Sequence, residues 1–169
     1  ATGLLLGVSP RIHRTLDPIV AVIHPLPKLT LYPLLLLILG FGEAPKIAVI
    51  AVATFFPMFV STVNGVRDVD AGLLEVVRSF GAGRLLTLRR VILPSSVPFV
   101  LAGLRIALNT GLTVTIAVEL ITAGDGLGSR VWLSWQNLRT EQLYAVPLVV
   151  GAFGFTVNEM LERAGRRLA

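Results

Sequence analysis

The chain has 169 residues, of which 54% are hydrophobic and 15% charged, and its mean hydropathy is +0.79. Typical globular chains have about 45–50% apolar and about 25% charged residues, so the composition excludes a disordered or fibrous chain and argues against a water-soluble enzyme. The net charge is +5, and the lack of cysteine excludes disulfides, thiolate metal sites and a cysteine nucleophile. Because the chain starts with Ala1 inside an apolar stretch, without a signal-peptide pattern, we expect it to be a piece of a longer protein.

The apolar residues are gathered into long blocks. About 20 helical residues cross a hydrocarbon core of about 30 Å. Residues 47–66 and 142–158 carry no charge, residues 18–41 and 91–118 carry one each, and residues 1–10 form a stretch too short to cross. Each block is apolar on all sides, so lipid is its best solvent. We therefore predict an all-α, polytopic transmembrane helical bundle, with kinks where prolines fall inside the blocks.

The charged connections predict an orientation. One alternating set of connections carries ten basic residues and the other set carries three. Because basic residues are retained on the cytoplasmic side, the first set is predicted to be cytoplasmic. It includes the loop of residues 67–94 and the C-terminus. This distribution accounts for most of the positive charge without nucleic acid.

A short amphipathic helix is predicted within that loop. Asp70 is a suitable N-cap, and Gly81 stands where a left-handed residue ends a helix. Between them the apolar residues recur at helical spacing: Leu73, Val76, Val77 and Phe80. Such a helix either lies on the membrane surface or fills a groove in a partner, and its periodicity leaves both open.

The same loop carries a spaced motif. Glu75-Val76-Val77 is followed by three residues and Gly81, then by nine residues and Val91-Ile92-Leu93-Pro94. This pattern resembles the EAA motif of ATP-binding-cassette importer permeases, which reads Glu-Ala-Ala, three residues, Gly, nine residues, Ile-x-Leu-Pro. The chain departs from the motif at Val76 and Val77, where the family usually has alanines. These bulkier side chains leave the docking geometry of the helix open.

Further segments resemble the nitrate, sulfonate and taurine branch of that family. They are residues 3–10, 56–57, 65–67, 103–108, Glu119 and residues 126–128. The resemblance implies a MetI-like permease fold in one transmembrane domain of residues 1–169. The chain begins at what looks like the end of an early family helix, so we expect it to be truncated at its N-terminus by one or more spans.

The resemblance also implies partners in the bacterial inner membrane. They are a dimer of ATPase subunits beneath the membrane, a second permease subunit forming a homodimer, and an extracytoplasmic solute-binding protein. The loop helix would be the coupling helix, which seats in the ATPase. The residues expected to dock the ATPase are Leu73, Leu74, Glu75, Arg78, Phe80, Gly81, Ala82, Leu93 and Pro94. For Glu75 the alternative is a solvated charge on an interfacial helix.

Polar residues within the spans are candidates for lining a solute path, because exposing them to lipid is costly. The candidates are Ser61, Asn64, Asn109, Thr113, Thr115 and Glu119. Hydrogen bonding between helices is the alternative for the hydroxyl and amide side chains. Glu119 would repel an anionic solute, so gating or a structural role is open for it. For Arg105 we expect a side chain that extends toward the cytoplasmic interface.

The sequence predicts no catalytic residue, no metal site and no cofactor. Gly124-x-Gly126-x-Gly128 is spaced as in a phosphate loop, but it follows an apolar helix and lacks a lysine, so a turning or re-entrant outer segment is favoured. His13 and His24 lie far from any other ligand-type residue. The function that the resemblance implies is import of a small oxyanion-type solute, an aliphatic sulfonate, taurine or nitrate, across the inner membrane, powered by a separate ATPase. The alternative is a secondary transporter or a non-transporting membrane scaffold.

Overall fold

A computed structural model describes residues 26–122 and 124–168, without the side chains of Arg78 and residues 166–168. Within these ranges the chain is helical and contains no strand, which confirms the all-α prediction there. A 3-10 turn, Lys28–Leu31, precedes the first α-helix. The helices are α1 (Tyr32–Leu39), α2 (Glu43–Arg67), α3 (Ala71–Ser79), α4 (Arg84–Thr122), α5 (Leu127–Gln136) and α6 (Thr140–Leu168).

Among the described residues, three helices are long and apolar enough to cross a membrane. They are α2, α4 and the part of α6 from Thr140 to Gly165, and they contain the predicted blocks 47–66, 91–118 and 142–158. The block 18–41 is described only from residue 26, where it forms the short apolar helix Lys28–Leu39. Residues 1–10 and both histidines lie outside the described residues.

Helix α4 has 39 residues and starts earlier than the predicted block. Leu88–Ile92 is a π-helical segment, in which the Leu93 amide donates to the Leu88 carbonyl. Pro94 follows at once; it has no N–H for the carbonyl of Arg90, and its ring crowds that carbonyl. A wider turn just before Pro94 makes room for the ring, so the helix continues through it. Pro57, Pro98 and Pro147 likewise lie inside continuous helices.

The contacts divide the chain into two compact units. The first, which we call the loop unit, contains residues 56–104 and, of the other described residues, 26 and 164–168. Within it α2 and α4 approach closely through glycine. A Cβ atom on Gly65 would lie 2.5 Å from the Phe99 Cβ, and one on Gly103 would lie 2.6 Å from the Ser61 Cβ. The two helices can pack at this distance because neither glycine has a side chain.

The second unit, which we call the glycine-loop unit, contains residues 27–55 and 105–163. Tyr32, Val49 and Val118 form its buried cluster, which joins α1, α2 and α4. Gly111 of α4 packs against Thr54 of α2 in the same unit. The unit therefore has an apolar centre made from three helices.

Polar contacts join α4 to α6 within the glycine-loop unit. The Arg105 guanidinium donates to the Glu162 carboxylate at 3.1 Å, and the Asn158 amide donates to the Asn109 side-chain oxygen at 2.8 Å. Arg105 and Asn109 are one helical turn apart, as are Asn158 and Glu162, so the contacts fix an antiparallel register. Arg105 thus forms an ion pair with another helix. The sequence had predicted only that its side chain extends toward the cytoplasmic interface.

A charge reversal tests this register. We expect Arg105→Glu to lower the melting temperature of the detergent-solubilised protein by about 2–4 °C, because the half-exposed pair becomes repulsive. The double variant Arg105→Glu/Glu162→Arg should recover most of the loss, as measured by fluorescence-monitored unfolding. Equal melting temperatures for the single and double variants would contradict the pairing.

Candidate functional site

The loop between α2 and α4 contains the predicted amphipathic helix, which the structure places at Ala71–Ser79 as α3. The Asp70 carboxylate accepts a hydrogen bond from the Gly72 amide at 2.7 Å, so the predicted N-cap is confirmed. Aspartate at this position satisfies an amide that has no partner inside the helix. The start of α3 is thus fixed by the residue that the sequence indicated.

The end of α3 is fixed by Gly81. Its φ of 75° lies in the left-handed region, as the sequence predicted. The amide of Ala82 donates to the Val77 carbonyl at 3.3 Å, which is the six-to-one hydrogen bond of a Schellman ending. The chain therefore reverses after one short helix and enters α4 through Gly83.

Much of the apolar face of α3 is open. The exposed fractions of Leu73, Val76 and Phe80 are 44%, 52% and 86%, and Glu75 is exposed beside them. Leu74 and Val77 are half-buried. A helix that served only to fill the core would bury these side chains. The open face therefore fits burial against lipid or a partner, as the periodicity predicted.

The remaining predicted docking residues lie on either side of the turn. Gly81 is exposed and Ala82 half-buried, while Leu93 and Pro94 lie inside α4 just after its π-helical segment. The Arg78 side chain is outside the described part. Leu85 and Leu86, in the first turn of α4, are also exposed, at 69% and 54%. These two leucines were not among the residues predicted from the motif, although the Leu-Leu pair shortly after the amphipathic helix is visible in the sequence.

Glu119 forms a second structured site, at the glycine-rich loop after α4. Its carboxylate accepts a hydrogen bond from the Gly128 amide at 2.8 Å, and its carbonyl accepts one from the buried Ser129 hydroxyl at 2.9 Å. Gly126 has a φ of 134° and packs directly on the carboxylate. Glu119 therefore caps α5, and a carboxylate suits the positive end of a helix. The sequence favoured a turning or re-entrant segment here, and residues 124–126 form a bend that precedes α5, a helix of 10 residues.

The other predicted path residues are dispersed. Thr113 and Thr115 donate their hydroxyls to carbonyls of their own helix, at Asn109 and Gly111. Asn109 pairs with α6, as described above. Ser61 is half-buried beside Gly103, and Asn64 is exposed. Their role in a solute path stays a prediction. For metals, the described ranges contain no group of three acidic or histidine side chains that could hold an ion.

Comparison with known proteins identifies the family of the chain. Residues 1–165 match the family described as binding-protein-dependent transport system inner membrane component. The chain belongs to this family. The fold class and the resemblance drawn from the motif in residues 75–94 are thereby confirmed.

Curated relatives in the family cover nearly all of the chain. The taurine transport system permease protein of Escherichia coli is 37% identical over 98% of the chain. A putative aliphatic sulfonates transport permease protein of Bacillus subtilis is 32% identical over 98%, and a nitrate import permease protein of Leptolyngbya laminosa is 29% identical over 95%. The chain spans 60%, 60% and 58% of their lengths, respectively.

Proposed function

We propose that the chain is the permease part of an ATP-binding-cassette importer that carries a small oxyanion across the inner membrane. Three observations support this: membership of a transport component family, relatives named for taurine, sulfonates and nitrate, and the three helices of the described ranges that are long and apolar enough to span a bilayer. The solute is an aliphatic sulfonate, taurine or nitrate. The chain itself performs no covalent chemistry, and ATP is hydrolysed by a partner.

The observation that carries the proposal is the capped, exposed helix α3. It is rigid at both ends, since Asp70 caps its start and Gly81 its end, and its open apolar face is available to a groove. The EAA motif begins on the same helix, at Glu75, and ends in α4, at Pro94. An ATPase that grips α3 would move it as a lever when the ATPase dimer closes, and so shift the spans between inward-open and outward-open states.

The residues proposed to contact the ATPase are those predicted from the motif, and Leu85 and Leu86 join them. Phe80 directly follows α3, is more exposed than Leu73 and Val76, and is the proposed anchor in the groove. Glu75 is the proposed partner of a basic ATPase residue. The ten-to-three bias of basic residues supports a cytoplasmic position for this loop and for the C-terminus.

The proposed complex has further members. The ATPase dimer requires two permease subunits, for which a homodimer is proposed. An extracytoplasmic binding protein delivers the solute on the opposite side of the membrane, in agreement with the family's description.

A reconstitution experiment tests the function. The permease, its ATPase and its binding protein are placed in proteoliposomes, and uptake of radiolabelled taurine, an aliphatic sulfonate and nitrate is measured with ATP inside. We expect uptake of one of these solutes with ATP and none with a non-hydrolysable analogue. Equal accumulation without nucleotide would favour a secondary transporter, and failure of the ATPase to co-purify would contradict docking on α3.

The proposed path consists of Ser61, Asn64, Asn109, Thr113, Thr115 and Glu119. For Glu119 the contacts favour a capping role, which its amide analogue can test. In Glu119→Gln the side-chain oxygen can still accept from the Gly128 amide, but the charge is gone. We expect uptake to stay within about twofold of wild type and Glu119→Ala to lose it, since the buried Gly128 amide is then left without an acceptor, which typically costs about 1–3 kcal/mol. Loss of uptake in a normally folded Glu119→Gln protein would instead support a path role.

A further inference from the structure

The glycine-loop unit contains a polar cavity that none of the predicted sites includes. It has a volume of about 710 Å³ and lies between the glycine-rich loop, α5 and the start of α6. Its size falls within the range of about 300–1,000 Å³ that is usual for small-molecule sites. Its lining includes Asp125, Arg130 and Arg139, so three formal charges face one space.

Hydrogen bonds fix the walls of this cavity. The buried Ser134 hydroxyl donates to the Arg130 carbonyl at 2.7 Å and lies 3.4 Å from the Gln142 side-chain oxygen, so it links α5 to α6. The buried Ser129 hydroxyl donates to the Glu119 carbonyl, which ties α5 to α4. The two helices that line the cavity, α5 and the start of α6, are therefore linked to each other by a buried side chain, and α5 is also tied to α4.

The charges that line the cavity are available for a ligand. In the described ranges, neither Arg130 nor Arg139 forms an ion pair, and Asp125 also has no basic partner. Guanidinium groups present planar pairs of donors that match the oxygens of a sulfonate or carboxylate. Two of them with one carboxylate form a set that is complementary to a molecule with an anionic and a cationic end.

We propose that this cavity binds a small zwitterion of the aminosulfonate class, with the sulfonate on Arg130 and Arg139 and the ammonium group on Asp125. This inference rests on the proposed function, from which it takes an oxyanion as the transported solute, and it selects one class among the candidates. A plain anion such as nitrate has nothing to offer Asp125 and would be repelled by it.

Binding to the purified permease in lipid nanodiscs tests the assignment, with neither ATPase nor nucleotide present. Taurine and isethionate are titrated in parallel by saturation-transfer NMR; isethionate carries a hydroxyl where taurine carries the ammonium group. We expect saturable binding of taurine and roughly tenfold weaker binding of isethionate, because one charge-assisted contact is lost.

Variants separate the two ends of the ligand. Asp125→Asn should lower the affinity for taurine to that for isethionate and leave the affinity for isethionate unchanged or slightly higher. Arg139→Gln should lower the affinity for both. Glu141→Gln is the matched control, because Glu141 is a nearby exposed acid outside the cavity lining. It should change neither affinity.

The outcomes distinguish this inference from the proposed function. Equal binding of taurine and isethionate to wild type, or a taurine affinity that Asp125→Asn does not change, would overturn the charge assignment, and absence of saturable binding would overturn the site. In each case ATP-driven uptake in proteoliposomes would still support the proposed function. Conversely, if the permease binds taurine but no ATPase docks on it, the proposed site would be supported and the proposed importer function would be contradicted.

Discussion

Glu75→Lys is expected to abolish ATP-driven uptake while the protein still inserts into the membrane. Glu75 is exposed on α3, so its replacement disturbs no packed core, and the loss should arise at the partner. A lysine facing a basic ATPase residue replaces attraction by repulsion, and like charges across an interface cost several kcal/mol. Uptake, ATPase co-purification and membrane abundance are measured together.

Asp68→Lys is the matched control for this charge reversal. Asp68 is also an exposed acid in the same connection, but it lies outside the motif and the proposed docking set. It should retain uptake and ATPase binding. Normal uptake with Glu75→Lys, or equal losses in the two variants, would refute a specific contact at Glu75.

Gly81→Asp should uncouple transport from ATP hydrolysis as well, because it changes the backbone turn that ends α3. Gly81 has a φ of 75°, where a side chain costs on the order of 1 kcal/mol, so the turn after α3 is expected to open and displace the helix. Gly83→Asp is its control, because Gly83 has a φ of −68°, has open space around it and occupies the N-cap position of α4, where aspartate is favoured. Uptake should be lost in the first variant and kept in the second.

Gly128→Val is expected to produce the largest loss of folding. A Cβ atom there would collide with the Ile116 carbonyl and lie 2.7 Å from the Glu119 Cβ. The Ile116 carbonyl belongs to the backbone of α4 and cannot rotate away. Overpacking typically costs roughly 1–3 kcal/mol, and an immovable backbone neighbour places this variant at the upper end. We expect a lower melting temperature, weaker protection of α5 in hydrogen exchange and reduced membrane abundance.

Gly124→Ala is the control within the same loop. The nearest atom to its added Cβ is the Lys46 Nζ at 3.6 Å, which is an ordinary contact. It should keep the melting temperature and membrane abundance of wild type. If Gly128→Val also folded like wild type, α5 would not pack against α4 at Glu119, and the capping role of Glu119 would be wrong.

Several features could be predicted from the sequence because they depend on neighbouring residues only. Asp70 and Gly81 define α3 through hydrogen bonds that span two to five residues, so the residue types themselves indicated both ends. The candidate spans could also be predicted, since their signal in the sequence is the length of an uncharged run. The motif from Glu75 to Pro94 also read correctly as that of a permease family, as the family match confirms.

The glycine-rich loop could be predicted only in part from the sequence. Gly126 and Gly128 stood out in the sequence, but the contact of Gly128 with Glu119 joins residues nine positions apart across a chain reversal. The geometry of that reversal depends on how α5 packs, and its sequence is too short and mixed for a clear helical signal. The cavity with Asp125, Arg130 and Arg139 was hidden for the same reason.

The sequence by itself thus determined the helical class, the positions of the three candidate spans in the described residues, the caps of α3 and the family. Only the tertiary structure decided which side chains meet between helices, such as Asn109 with Asn158 and Arg105 with Glu162. The physical reason is the composition of the spans. A helix that is apolar on all sides has no stripe to define its rotation, so its partners are chosen by packing of small residues and by a few polar contacts.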